Sequence, residues 1–258
     1  MTTPRIYHPH TLKADTLLEL EEEYLRYLKT VLRLKEGDKL VLFDGMGFEY
    51  EAHIEAFHRH SLSLKVTDAR HIPFPDRGIT LAQSLPKGTK MDFIIQKATE
   101  LGVSRIIPFI SSRSIPILSR EKAAARHKRW TRIAIEASKQ CGRTKIPELS
   151  ELSGFEEMLD LPSASSHKII FWEAETERGL KTILRESRDG GEKDFFIIVG
   201  PEGGFAWHEV EASTKKGFLT ASLGRNILRV ETSSMAIISI LQFELGTIGS
   251  AENTEGIE

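Results

Sequence analysis

Apolar and polar positions along the chain follow two regimes, and the change falls near residue 79. Before it, short alternating runs at 39–43, 49–57 and 61–66 lie between turn residues, with Asp44, Gly45 and Gly47 forming the first turn. Such runs predict the strands of a small, mostly β module. Ahead of them, Leu17, Leu20, Tyr24, Leu28, Val31 and Leu32 recur at helical spacing, which predicts a helix over 17–34 capped by Asp15 or Thr16. HIPFPDRG at 71–78 brings two prolines and a glycine together and suits a short stiff connection. The expected division is therefore 1–74 and 75–248, with a polar tail from Glu252.

From residue 79 the period changes. Strands are predicted at 79–85, 103–109, 169–172, 195–199 and 218–223, alternating with helices at 91–101, 119–141, 179–186 and 207–216. A final apolar helix to about residue 245 would be capped by Thr232 or Ser233. Strand and helix in alternation imply βαβ units and a mainly parallel sheet, so the fold class is α/β. FFIIV at 195–199 has no polar position at all, as in a strand covered on both faces.

Composition narrows the classes. The 258 residues are 40% hydrophobic and 28% charged, ordinary globular material for one large or two modest domains. MTTPRIYHPH lacks the apolar core of a signal peptide, and no run approaches the roughly 18 apolar residues of a bilayer span. A cytoplasmic protein with no membrane partner is expected. The single cysteine, Cys141, rules out an internal disulfide and a multi-cysteine zinc site, and it is expected on the inward face of the 119–141 helix. His53, His58 and His60 read as surface histidines, and Ala212 stands where an HExxH motif beginning at His208 needs its second histidine. No metal is expected. The net charge of −2 conceals a local excess of cations: Lys122, Arg126 and Arg129 share a helix face, with Arg105, Arg113, Arg120, Arg143 and Lys145 nearby in sequence. That concentration suits phosphate contact, and RNA is the expected partner.

Candidate chemistry gathers after the FFIIV run. Gly200, Gly203 and Gly204 in GPEGGF leave backbone open to close approach, although a plain tight turn accounts for the same residues equally well. Neither GxGxxG nor GxxxxGK[ST] occurs, and Glu202 would repel a phosphate but suits a cation or a hydrogen-bond donor. In LGRNILRVET at 223–232, Ile227, Leu228 and Val230 call for burial, which places Arg225, Arg229 and Glu231 at the edge of an apolar cavity. Both segments should meet beyond the carboxyl ends of the strands.

KATELGVSRIIPFISSRS at 97–114, EASKQCGRTKIPEL at 136–149, IIVGPEGGF at 197–205 and LGRNILRVET at 223–232 closely resemble, in that order, the RsmE family. These are 16S ribosomal RNA uracil-N3 methyltransferases of the SPOUT superfamily. VLRLKEGDKLVLFDGMGFEYEAHI at 31–54 is similar to the family's N-terminal RNA-binding barrel. The resemblance implies a PUA-like β barrel followed by a SPOUT α/β domain with a C-terminal trefoil knot, and a homodimer acting on 16S rRNA of the small ribosomal subunit. Knots are almost absent from proteins, so sequence physics alone would not have suggested one. The resemblance further implies S-adenosylmethionine held by Gly200, Pro201, Glu202 and Gly203, by Leu223, Gly224, Ile227, Leu228 and Arg229, and by Leu85, Trp172, Glu173 and Leu219. Catalytic roles fall to Arg113 or Arg229 for charge stabilisation and to Glu202 or Glu231 for orientation or proton acceptance. RNA contacts fall to Arg5, Arg33, Arg126, Arg129 and Arg143. The alternative of another class is a non-catalytic RNA-binding or ribosome-assembly factor.

Overall fold

A chain that changes period needs two cores, and the computed structural model, which describes residues 3–74, 78–114, 118–187 and 194–249, contains two compact units. One is Met1–Phe74 with Ser138–Ile146; the other is Pro75–Ala137 with Pro147–Glu258. Residues 75–77 of the expected connection, and the expected tail, lie outside the described residues.

In the first unit, β1 (Arg5–Tyr7), β2 (Leu17–Glu21), β3 (Lys39–Phe43), β4 (Phe48–Phe57) and β5 (Ser61–His71) form a five-stranded sheet in the order β1-β3-β4-β5-β2. All neighbours are antiparallel except β1 and β3. Leu40, Leu42, Tyr50, Ile54, Leu62 and Leu64 alternate inward and make its core. The predicted helix over 17–34 is a correction. Residues 17–21 are a strand, followed by the short helix α1 (Glu22–Arg26) and a π-helical turn at Tyr27–Val31. Leu17 is 64% exposed while Leu20 is buried, an alternation that pairing with β5 imposes. Asp15 sits at φ +64 in a turn and donates its N–H to Val66 O at 3.0 Å instead of capping a helix. The exposed edge of β5 needed a partner, and that pairing overrode the helical period. β5 also runs past Val66 to His71, pairing polar residues with β4 on a solvated stretch.

In the second unit, β6 (Ile79–Ser84), β7 (Arg105–Ile110), β8 (Glu148–Leu149), β10 (His167–Phe171), β11 (Phe195–Val199) and β12 (Leu219–Ala221) run parallel in the order β12-β10-β11-β6-β7-β8, and β9 (Ser153–Gly154) joins β7. The helices are α2 (Lys90–Glu100), α3 (Arg120–Cys141, counted in this unit as far as Ala137), α4 (Phe155–Leu159), α5 (Leu180–Ser187), α6 (Trp207–Lys215) and α7 (Val230–Glu244). The predicted parallel α/β sheet is therefore present, and β11 is buried at every position between β10 and β6. Ala82, Ile107, Phe109, Ile170, Phe196 and Ile198 pack with Phe155 and Met158 of α4, which no sequence pattern had announced. Two further corrections concern helix ends. Helix α7 begins at Val230, and the Ser233 and Ser234 hydroxyls donate back to Val230 O at 2.9 and 3.0 Å instead of capping. Cys141 is exposed in the last turn of α3, which Gly142 ends at φ +83. Among the described residues, no helix is long and apolar enough to cross a membrane.

Candidate active site

The site forms in the second unit where β6, β10, β11 and β12 end, the position expected of a ligand crevice in an open α/β sheet. After Val199 the chain turns through the 200–205 loop, closed by Gly204 N–H donating to Pro201 O at 3.0 Å. Gly204 holds φ +66, and a Cβ there would lie 1.8 Å from Glu173 Oε1. Only glycine lets the loop and that carboxylate approach so closely. Beneath the loop, the fully buried Gln83 accepts from Ser234 Oγ at 2.6 Å and donates to Val199 O at 3.4 Å, linking β6, β11 and the first turn of α7. The facing loop leaves β12 at Ser222, whose Oγ accepts from Gly224 N–H at 3.2 Å, and runs on to Arg229. Between the two loops is a cavity of about 550 Å³.

Its charge is organised around a lysine that sequence reasoning missed. Lys90, at the start of α2, donates to Glu202 Oε1 at 2.8 Å and lies 3.6 Å from Glu231 Oε2. The Lys87 N–H also reaches the Glu202 carboxylate at 3.2 Å. Burial pushes the Glu202 carboxyl up, but the hydrogen bond from Lys90 and those from backbone N–H groups outweigh it, so its pKa lies below the usual value. The hydrogen bond to Glu202, opposed by desolvation, raises the pKa of Lys90. Glu231 Oε2 is buried and makes no hydrogen bond.

Most expected cofactor residues converge here. Trp172, Glu173, Gly200, Pro201, Glu202, Gly203, Leu223, Gly224, Ile227, Leu228 and Arg229 all line the cavity. Leu85, buried beyond the end of β6, and Leu219, at the start of β12, do not. The burial expected of Ile227 is overturned: it is 90% exposed, and Leu228 is half-exposed, while Val230 is buried. The loop turns its two aliphatic side chains into the lip of the cavity, and α7 buries only the third. Arg113 is exposed on a turn beside the cavity and donates from Nη1 to Gly203 O at 2.8 Å. The Ser84, Ser111 and Ser114 hydroxyls, mutually within 2.8–3.1 Å, hold that turn. Glu209, also missed, is buried and accepts from Ser112 N–H at 2.8 Å and Ala206 N–H at 2.9 Å, so one carboxylate ties the Arg113 turn to the glycine loop. Its position three residues into α6, where a carboxylate commonly caps, was the available signal.

The residues expected to touch RNA have varied surroundings. Arg5 is ion-paired to Glu49 and lies over the Phe43 ring. Arg33 is exposed in a left-handed turn. Burial lowers the pKa of Arg143. On α3, Arg126 is half-buried and Arg129 pairs with Asp92, which also accepts from Trp130 Nε1 at 3.0 Å. Among the described residues, no group of three His, Cys, Asp or Glu side chains is placed to hold a metal ion.

Comparison with known proteins adds independent support. The profile described as an RNA methyltransferase domain matches residues 74–242, and that of an RNA methyltransferase PUA domain matches residues 20–67. The ribosomal RNA small subunit methyltransferase E of Rickettsia conorii is 33% identical over 241 residues, covering 91% of this chain and 93% of the relative. A crystal structure of ribosomal RNA small subunit methyltransferase E from Neisseria gonorrhoeae bound to S-adenosyl methionine is 34% identical with a TM-score of 0.83, covering 93% of this chain and 97% of that one. A Legionella pneumophila methyltransferase in complex with the cofactor SAM is 33% identical with a TM-score of 0.83, covering 94% and 98%.

Proposed function

The chain belongs to the RNA methyltransferase family that includes ribosomal RNA small subunit methyltransferase E, and from that membership we propose that it methylates N3 of a uridine in 16S ribosomal RNA with S-adenosylmethionine as donor. The observation that carries this reading is the glycine-walled cavity with Glu173 and Glu202 among its lining and Leu223, Ile227 and Leu228 opposite. That lining fits the cofactor: aliphatic chains and bare backbone suit an adenine, and carboxylates suit a positively charged sulfonium centre better than a phosphate. When bound, S-adenosylmethionine supplies a methyl group made electrophilic by its sulfonium charge.

The remaining work belongs to the chain. Uridine N3 is an imide N–H on the base-pairing edge, so the protein must receive the base unpaired, and the N3 proton must leave. Arg229, which lines the cavity, or Arg113 on the adjoining turn stabilises the imidate oxygen. Glu202, held ionised by Lys90, serves as a fixed negative anchor. Glu231, whose Oε2 lies 3.6 Å from Lys90 Nζ, is the proposed proton acceptor. Residues 1–74 would act as a PUA-like RNA-binding domain and 75–248 as the SPOUT methyltransferase domain. Family membership also supports a trefoil knot in the C-terminal segment, a cytoplasmic location and a homodimer, for which exposed Phe93 on α2 and Ile240 and Phe243 on α7 offer apolar surface.

Mass spectrometry of small-subunit RNA nucleosides, from cells with and without the protein, tests the reaction. Loss of 3-methyluridine without the protein supports it, and an unchanged level rejects it. Calorimetry tests the cavity: S-adenosylmethionine should bind, and Leu228→Trp should abolish binding.

A further inference from the structure

Trp207 opens α6, three residues past Gly204, and is 68% exposed. A tryptophan leaves that much surface in water at a cost, and such residues concentrate where another surface covers them. Its indole packs on Trp172, with ring centroids 5.5 Å apart and planes at 58°. Trp172 lines the cavity, and its backbone N–H donates to Ala221 O at 3.0 Å, so one end of the pair is fixed to the sheet. The two rings make an aromatic step leading outward from the cavity wall.

The surroundings restrict what the step can bind. Glu173, beside Trp172, packs against Gly204 and would repel a phosphate placed over the pair. An anion is then disfavoured at the point of contact, and the exposed indole face suits a planar group. We infer that Trp207 and Trp172 form a stacking platform for an unpaired nucleobase next to the methylated nucleotide, a subsite of the RNA distinct from the groups that act on the reacting base. The inference rests on the RNA-methylating reading and adds a contact that reads single-stranded RNA by its base faces rather than by its charge.

Of the three tryptophans in the chain, Trp130 is buried and hydrogen-bonded to Asp92, which Arg129 also contacts, so only the part of an emission change that Trp207→Ala removes is assigned to the platform. The full-length protein, without cofactor, is titrated with a single-stranded uridine-rich oligoribonucleotide. Tryptophan emission should be quenched, and Trp207→Ala should remove most of the quench. The KM for small-subunit RNA should rise about tenfold in Trp207→Ala, the size expected of one lost stacked base, with affinity for S-adenosylmethionine unchanged. Trp207→Phe should recover most of the loss. An unchanged KM in Trp207→Ala, when wild type transfers methyl groups to RNA, overturns the platform and leaves the reaction standing. Weakened cofactor binding in that variant overturns it too, as does emission that responds to dilution of the protein alone, because a second copy would then be what covers Trp207. Absence of transfer by the wild type rejects the reaction instead.

Discussion

Two apolar segments meet at the site and meet opposite fates. In β11, all five side chains are buried; in the loop that faces it, Ile227 is 90% exposed and Leu228 is half-exposed, although each is as apolar as its counterparts in the strand. The strand lies between β10 and β6 and is covered on both faces, so every position has somewhere to go. The loop has no ladder to place it, and its aliphatic chains stay at the edge of the cavity. Hydrophobicity in the strand specifies the fold; in the loop it leaves a surface for something else to cover. The largest effect should follow from removing side-chain volume in the strand. Ile198→Ala should destabilise the protein by about 2–5 kcal/mol, through lost transfer free energy and the cavity left behind, as read by denaturant unfolding.

Between the two segments lies Gln83, which holds the end of β11 to the first turn of α7. Ser234→Ala deletes the donor to Gln83 Oε1 and leaves a fully buried acceptor without its partner. About 1–3 kcal/mol of stability should be lost, since the acceptor then bears its full desolvation cost. A loss below about 0.5 kcal/mol would mean that the amide finds another donor, and the strand and the helix would then be less tightly joined than the hydrogen bonds indicate.

A smaller effect tests the charge that separates the segments. The pKa of Glu202 is lowered in the folded protein, so its contribution to stability is present above the unfolded value of 4.5 and is lost as pH falls through the lower folded value. Lys90→Met removes the strongest of the groups holding it down and should shift that loss to higher pH. Unfolding midpoints for wild type and variant should therefore agree best well below pH 4 and diverge as pH rises towards 6. Parallel curves over that range would show that Lys90 does not set the ionisation of Glu202.

How much of this was legible beforehand follows the same division. β3 and β11 have the bounds read from alternation and from continuous apolarity, because each of those patterns has one structural outcome in a covered sheet. Residues 17–21 were misread because LLELE satisfies both periods and only the unpaired edge of β5 decides between them. The meeting of the Gly200 and Leu228 loops on one cavity was legible from their place at strand ends, whereas Trp172 came from resemblance alone. Lys90 was invisible for a different reason: its partner lies 112 residues away in the chain, and nothing local marks a side chain whose meaning depends on a distant loop. Glu209 carried a local capping signal through Ala206, but its tie to Ser112, 97 residues away, was not legible.

The smallest effect on stability should come from the loop, and it is the sharpest test of the comparison. Ile227→Ala removes side-chain carbons that are already in water, so the unfolding free energy should change by less than about 0.5 kcal/mol. If S-adenosylmethionine closes over this lip, some of those carbons are buried only in the complex, and affinity should fall about fivefold for the part of the side chain that is covered. Calorimetry on the same protein samples used for unfolding separates the two quantities. A variant that loses stability but keeps its affinity would show that Ile227 is packed in solution, and the loop would then belong with β11 as part of the fold. A variant that keeps both would mean the lip stays open when the cavity is filled. Only unchanged stability with weakened binding assigns the apolar surface of this loop to the ligand.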